Sequence, residues 1–305
     1  MDKKLLSGHV ACFLAYAIFG LNIVFCKGIS NASVIPPMAL FCIRAAGASL
    51  LFWIISAFVP GEKIEKADWW RVALASFMGL FVPQTTFLVA MTQTAAVDAA
   101  IIQSINPIFT MIFAAFFLKE PVTWKKTLGV LVSIAGIIFL IFSSKQYQAG
   151  DGSTSVGGVL WLLLNGISFS LYLAIFRPII SKYSVITFMK WMFLFSLALS
   201  LPFSVPSLID VPWTAIQPKI YLEVAYVVVF ATFVAYFLIP LGQQRLRPTL
   251  VSMYTYVQPI VAVLISIVIG MDTLTWQKTV AIVLVFAGVA LVNRSKARVQ
   301  SAPKA

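Results

Sequence analysis

The sequence predicts an all-α membrane protein whose ten transmembrane helices form two inverted five-helix repeats. Three observations predict it. Hydrophobic residues make up 61% of the 305 residues and charged residues only 10%, against about half and a quarter in a soluble domain. The stretch Pro107–Gly136 returns as Pro259–Gly288, an offset of 152 (259 − 107) in a chain of 305. Lysine and arginine concentrate in every other gap between apolar runs.

The runs fall at 8–27, 37–58, 70–92, 96–118, 124–143, 157–177, 185–208, 220–243, 249–270 and 275–293. Each approaches the length needed to cross about 30 Å of hydrocarbon at 1.5 Å per residue. The first has no small-residue cleavage site before its polar end and reads as a retained span. Pro36-Pro37 opens the second, and the charged GEKIEKAD at 61–68 separates it from the third. Lys119-Glu120-Pro121 ends the fourth. The Gly/Ser-rich stretch at 145–158 is the joint between the halves, giving a first repeat at 1–145, a linker at 146–156 and a second repeat at 157–305 with a basic tail. The Pro-marked 202–218, then Arg245–Pro248 and Asp272, separate the remaining spans.

The charge of +12 could point to nucleic acid, but the cations lie in short clusters between apolar runs, as topology signals do. With a cytoplasmic N-terminus, sixteen Lys and Arg fall in inner loops and tails and four (Lys27, Lys145, Lys219, Lys278) in outer loops. Both termini are therefore expected in the cytoplasm. Five spans per half forces the second half to run in the opposite sense. The loss of Lys119 and Lys125 to Met271 and Gln277 in the second copy fits that inversion, since the copied turn lies on the other side. Inverted repeats suit secondary transporters, because two similar halves allow mirror-related inward-open and outward-open states around one site.

The stretch Thr94–Leu140, with Pro107, Glu120, Gly129 and Gly136, its second copy Arg247–Leu291, and the opening span Ala17–Gly28 resemble the EamA-type members of the drug/metabolite transporter superfamily. The resemblance implies a bacterial inner-membrane carrier, most often an exporter of amino acids or related metabolites. Antiporters of phosphorylated sugars or nucleotide sugars are more distant relatives and form the alternative. Asp272 in place of Glu120, and Ala281 in place of Gly129, suit a turn or packing role at those positions.

A carrier needs polar groups deep in the bundle. Polar residues whose counterpart in the other half is also polar are Asn22 with Tyr172, Gln84 with Tyr236, and Asn106 with Gln258, the last pair just before Pro107 and Pro259. Gln103 lies one turn from Asn106 and pairs with Thr255; Tyr256 and Asn165 are further candidates. The expected substrate-binding set is thus Asn22, Gln84, Gln103, Asn106, Tyr172, Tyr236, Tyr256 and Gln258. The alternative for each is a hydrogen bond to a neighbouring helix, about 0.6 kcal/mol on average. Arg44 and Lys190, near span ends, are expected to snorkel to the interface; the functional alternative is that Arg44 meets an anionic substrate group. Asp98 reads as a helix cap, and proton coupling would have to use Asp98 or Glu223.

The small residues Gly129, Ser133 and Gly136, with Ala281 and Gly288, predict a scaffold or dimerisation role for spans 5 and 10, so a homodimer is one expected partner beside the solute and the bilayer. Cys12, Cys26 and Cys42 read as packing residues. No phosphate loop and no metal-ligand cluster appears, so neither ATP, a cofactor nor a metal is expected, and an intramembrane enzyme or a channel is the weaker class.

Overall fold

The computed structural model describes residues 3–118, 124–146, 154–246, 251 and 254–294. Among them every regular element is helical. We label them α1 (Lys3–Ala32), α2 (Pro37–Ser56), α3 (Lys66–Met91), α4 (Ala96–Gln103), α5 (Asn106–Leu118), α6 (Trp124–Gln146), α7 (Val156–Ile175), α8 (Arg177–Lys182), α9 (Val185–Ile209), α10 (Pro218–Arg245), α11 (Val257–Val268) and α12 (Trp276–Arg294). Seven helical stretches are long and apolar enough to cross a membrane; Thr127–Phe139, Tyr254–Val268 and Trp276–Gly288 are shorter apolar helices. The Lys119-Glu120-Pro121 turn, most of the 146–156 linker, Arg247-Pro248 and the basic tail lie outside the described residues.

Helix starts follow local chemistry. Pro37 opens α2, where its missing N–H costs nothing. Ser155 caps α7 by accepting from the Gly158 N–H at 2.9 Å, and Ser184 caps α9 through the Thr187 N–H at 3.3 Å. The expected fourth span bends between α4 and α5, where Ile105 and Ile108 make short i→i−3 bonds around Pro107.

The third and eighth predicted spans each contain a π-helical segment that periodicity did not show. One covers Phe77–Phe81 in α3 and the other Val227–Val234 in α10. Subtracting the offset (227 − 152 = 75, 234 − 152 = 82) brings the second onto the first. A π turn leaves carbonyls without their usual i+4 partner. In α10 the Thr232 hydroxyl donates to the Val227 carbonyl at 2.7 Å, and in α3 Ser168 donates to the Met78 carbonyl at 2.8 Å.

The halves exchange partners. The first helix, α1, packs on α10 and α11, while α7 packs on α3 and α5; α2 pairs with α9, and α6 with α12. The small-residue stripe serves the last pair: a side chain at Gly288 would press into Ser133 Oγ, and one at Gly136 would come within 3.0 Å of Leu284 and Val285. These residues are therefore used inside the chain, as the scaffold reading expects. Two apolar cores lie at different depths: along α1, one takes Cys12–Tyr16 and the other Ile23–Ile29.

Candidate functional site

Between the two cores lies a polar cavity of about 60 Å³. At about 30 Å³ per water that is room for about two waters. Six of the eight expected residues line it: Asn22 from α1, Gln84 from α3, Gln103 from α4, Asn106 from α5, Tyr236 from α10 and Gln258 from α11. They come from both halves, and they touch across the divide. Gln258 Nε2 donates to Gln103 Oε1 at 2.8 Å. The Gln84 amide lies against the Tyr236 hydroxyl, without a well-formed hydrogen bond to it.

The two residues preceding the prolines sit in matching surroundings. Ser170 on α7 donates to the Asn106 carbonyl at 3.1 Å, and Gly20 on α1 lies so close to the Gln258 carbonyl that a Cβ there would be 2.6 Å away. Asn165 also lines the cavity, its amide donating to the Pro83 carbonyl at 2.7 Å. Buried without a hydrogen-bond partner are both amide atoms of Gln84, Gln103 Nε2 and Asn106 Oδ1. A buried polar atom left unpaired costs about 1–3 kcal/mol. Several around one cavity mark a place that solvent or solute completes.

Tyr172 and Tyr256 are not brought to this cavity. Tyr172 is 2% exposed and lies flat against Gly79, where a Cβ would meet its ring at 2.6 Å. It also stacks on Phe176. Tyr256 packs against the Phe286 ring, 5.7 Å between centroids.

Arg44 corrects the expectation of snorkelling. It is 2% exposed, and it lines the cavity. Its Nε donates to Thr232 Oγ1 at 2.9 Å and Nη1 faces Cys26 Sγ at 3.8 Å; Cys26 in turn donates to Asn22 Oδ1 at 3.4 Å. The π segment of α10 is what sets Thr232 toward Arg44. In the sequence Arg44 lies near a span end and so reads as a snorkelling residue; Lys190, which reads the same way, has its ammonium over Trp53 at 4.9 Å. A cation deep in an apolar run was itself the available signal.

Beyond the cavity, one turn further along α1, α2 and α3, opens a vestibule of about 580 Å³. Asn22, Arg44 and Gln84 line the first, and Cys26, Leu40 and Leu88, each four positions away, line the second. One turn, about 5 Å, is all that separates them.

Ion pairs tie the halves together at two places. Lys278 meets Asp272 at 2.6 Å and Asp98 at 3.5 Å, and Asp272 also accepts from the Val97 N–H. Asp98 thus joins this cluster instead of serving only as a cap. Elsewhere Lys182 bridges Glu65 at 2.6 Å and Asp68 at 2.7 Å, and the Tyr183 hydroxyl donates to Asp68. Hydrogen bonding to Asp68 and Glu65 raises the Lys182 ammonium above the ordinary lysine range.

The sequence pattern of the EamA-like transporter family matches residues 6–142 and again 156–294. The chain belongs to the EamA-like transporter family. It is a membrane transporter of that family, and the family's pattern is met once in each half. The chain is 25% identical over 99% of its length to the uncharacterized transporter YetK of Bacillus subtilis (strain 168), covering 92% of that protein. It is 23% identical over 85% of its length to an uncharacterized transporter of Archaeoglobus fulgidus, covering 90% of that protein. A solved crystal structure superposes with a TM-score of 0.66 over 97% of this chain and 99% of the other at 18% identity, a likeness of fold.

Proposed function

We propose that this EamA-family protein is a secondary transporter of small metabolites, an exporter of amino acids or related solutes, working by alternating access. Its two halves, 1–145 and 157–305 joined at 146–156, are two inverted five-helix repeats in a bacterial inner membrane, with both termini in the cytoplasm. The observation that carries the reading is the cavity, walled by amides of both halves and holding unpaired polar atoms at mid-bundle. A site shared between repeats changes its access when one repeat rocks against the other. The reciprocal packing of α1 on α10 and α11, and of α7 on α3 and α5, supports a two-fold relation between them.

In this reading the two ion-pair clusters are the closing contacts of the two sides. Under the proposed topology the Lys278 cluster and the vestibule face outward, and the Lys182 cluster faces the cytoplasm. Opening either side would break one cluster and keep the other.

The test is counterflow of labelled amino acids into proteoliposomes carrying the purified protein. Saturable uptake driven by internal unlabelled solute supports a carrier; conductance that does not saturate overturns it. Reporter fusions check the topology, and an outer C-terminus would overturn the inverted arrangement.

A further inference from the structure

Arg44 stands in the cavity wall with its charge uncompensated. Guanidinium presents five N–H donors and cannot shed its charge. Here one goes to Thr232 and one faces a thiol sulfur at 3.8 Å. No carboxylate among the described residues lies within ion-pairing distance of it. Glu223, nine positions before Thr232 on α10 (232 − 223), is paired to Lys219 at 3.7 Å and lies against Gly28 instead. A buried ion without a counter-ion costs several kcal/mol, so the site is poised for an anion from outside.

The approach carries the same sign. The vestibule wall holds one cation, Lys27, its ammonium donating to the Met91 carbonyl at 3.1 Å, and neither Asp nor Glu lines the vestibule or the cavity. A guanidinium in a low-dielectric wall attracts an anion that enters from the vestibule one turn away.

Taking the cavity as the transport site, we infer that Arg44 receives a carboxylate of the substrate, so that the solutes carried are monocarboxylates, amino acids among them. One positive charge in the wall matches a monoanion; a phosphate dianion would leave a charge unpaired. The planar fork of guanidinium matches both oxygens of a carboxylate. Gln84 and Gln103 bring further amide donors with unpaired hydrogens to the same cavity.

The experiment measures the unfolding temperature of the full-length protein in detergent with sodium propionate, propionamide or sodium phosphate, at ionic strength matched with sodium chloride. Propionate is a compact monocarboxylate, matched in size and shape by its neutral amide. Bound ligand stabilises the folded form, so propionate should raise the temperature by about 2–4 °C near tenfold saturation. Propionamide and phosphate should not. Arg44→Gln should lose the response and Arg44→Lys keep part of it. The inference is overturned by no response to propionate, an equal response to propionamide, a larger one to phosphate, or a full response in Arg44→Gln. Should that variant not fold, the wild-type comparison of propionate with propionamide decides. Binding that discriminates without counterflow would sink the carrier reading and leave the Arg44 site standing; counterflow without discrimination does the reverse.

Discussion

The Ser133 hydroxyl donates to the main-chain carbonyl of Val285 at 3.2 Å, and the two residues are 152 positions apart, the offset of the internal repeat. A residue that touches its own counterpart lies beside a two-fold axis. Gln84 and Tyr236 are counterparts too (236 − 84 = 152), and they meet in the cavity wall. Under the proposed function, a line through the α6–α12 contact and the cavity is where the two halves would pivot.

Gly288 should be intolerant of any side chain. A Cβ there would press into the Gly129 carbonyl, whereas a Cβ on Gly61 would meet nothing within 4 Å. Gly288→Ala is predicted to destabilise by about 1–3 kcal/mol through overpacking, and Gly61→Ala to change little. Thermal unfolding of both variants in detergent checks this, and equal midpoints would contradict the close approach.

Leucine at Asn106 or Gln258 should lower transport at least tenfold without reducing protein level. Each substitution removes the amide from the cavity and leaves a branched apolar side chain in its place. Counterflow rates beside immunoblots provide the measurement, and unchanged kinetics in both variants would remove these residues from the site.

Tyr172 should behave as a packing residue. Its ring covers Gly79 and sits outside the cavity, so Tyr172→Phe is predicted to keep both stability and transport. Tyr172→Ala should cost about 3 kcal/mol. Loss of transport in the phenylalanine variant, at full stability, would instead place the hydroxyl in the mechanism.

Lys278→Met should open the outer side. Native Cys26 lines the vestibule and is 1% exposed. Its labelling in intact cells by a membrane-impermeant maleimide is predicted to rise several-fold in this variant and to stay low in Lys182→Met. The opposite pattern would reverse the assigned sides.

The Lys182 cluster should hold across physiological pH. A lysine raised by its carboxylate partners in the folded state contributes stability below the ordinary value of 10.5, lost only as pH rises through the higher folded value. Melting curves should therefore show no Lys182-dependent change between about pH 7 and 9, when wild type is compared with Lys182→Met; a difference that varied over this range would refute the pairing.

The apolar runs, the repeat and six polar residues of the cavity wall were legible in the sequence, because bilayer thickness dictates span length and because a duplicated chain exposes its deep polar positions by pairing them. That rule retained Tyr172, whose hydroxyl suggested a site while its ring serves Gly79, and Arg44 was set aside for its nearness to a span end although it stands in the cavity wall. The π segments were hidden as well, since a shift from i−4 to i−5 bonding leaves composition unchanged. The sequence by itself determined the class of protein, the repeat and the polar inventory, all of which follow from local chemistry and counting. Only the tertiary structure decided that Arg44 faces inward, that Gln103 meets Gln258, and that the small-residue stripes of α6 and α12 close on one another, because each depends on how helices far apart in the chain are rotated and packed.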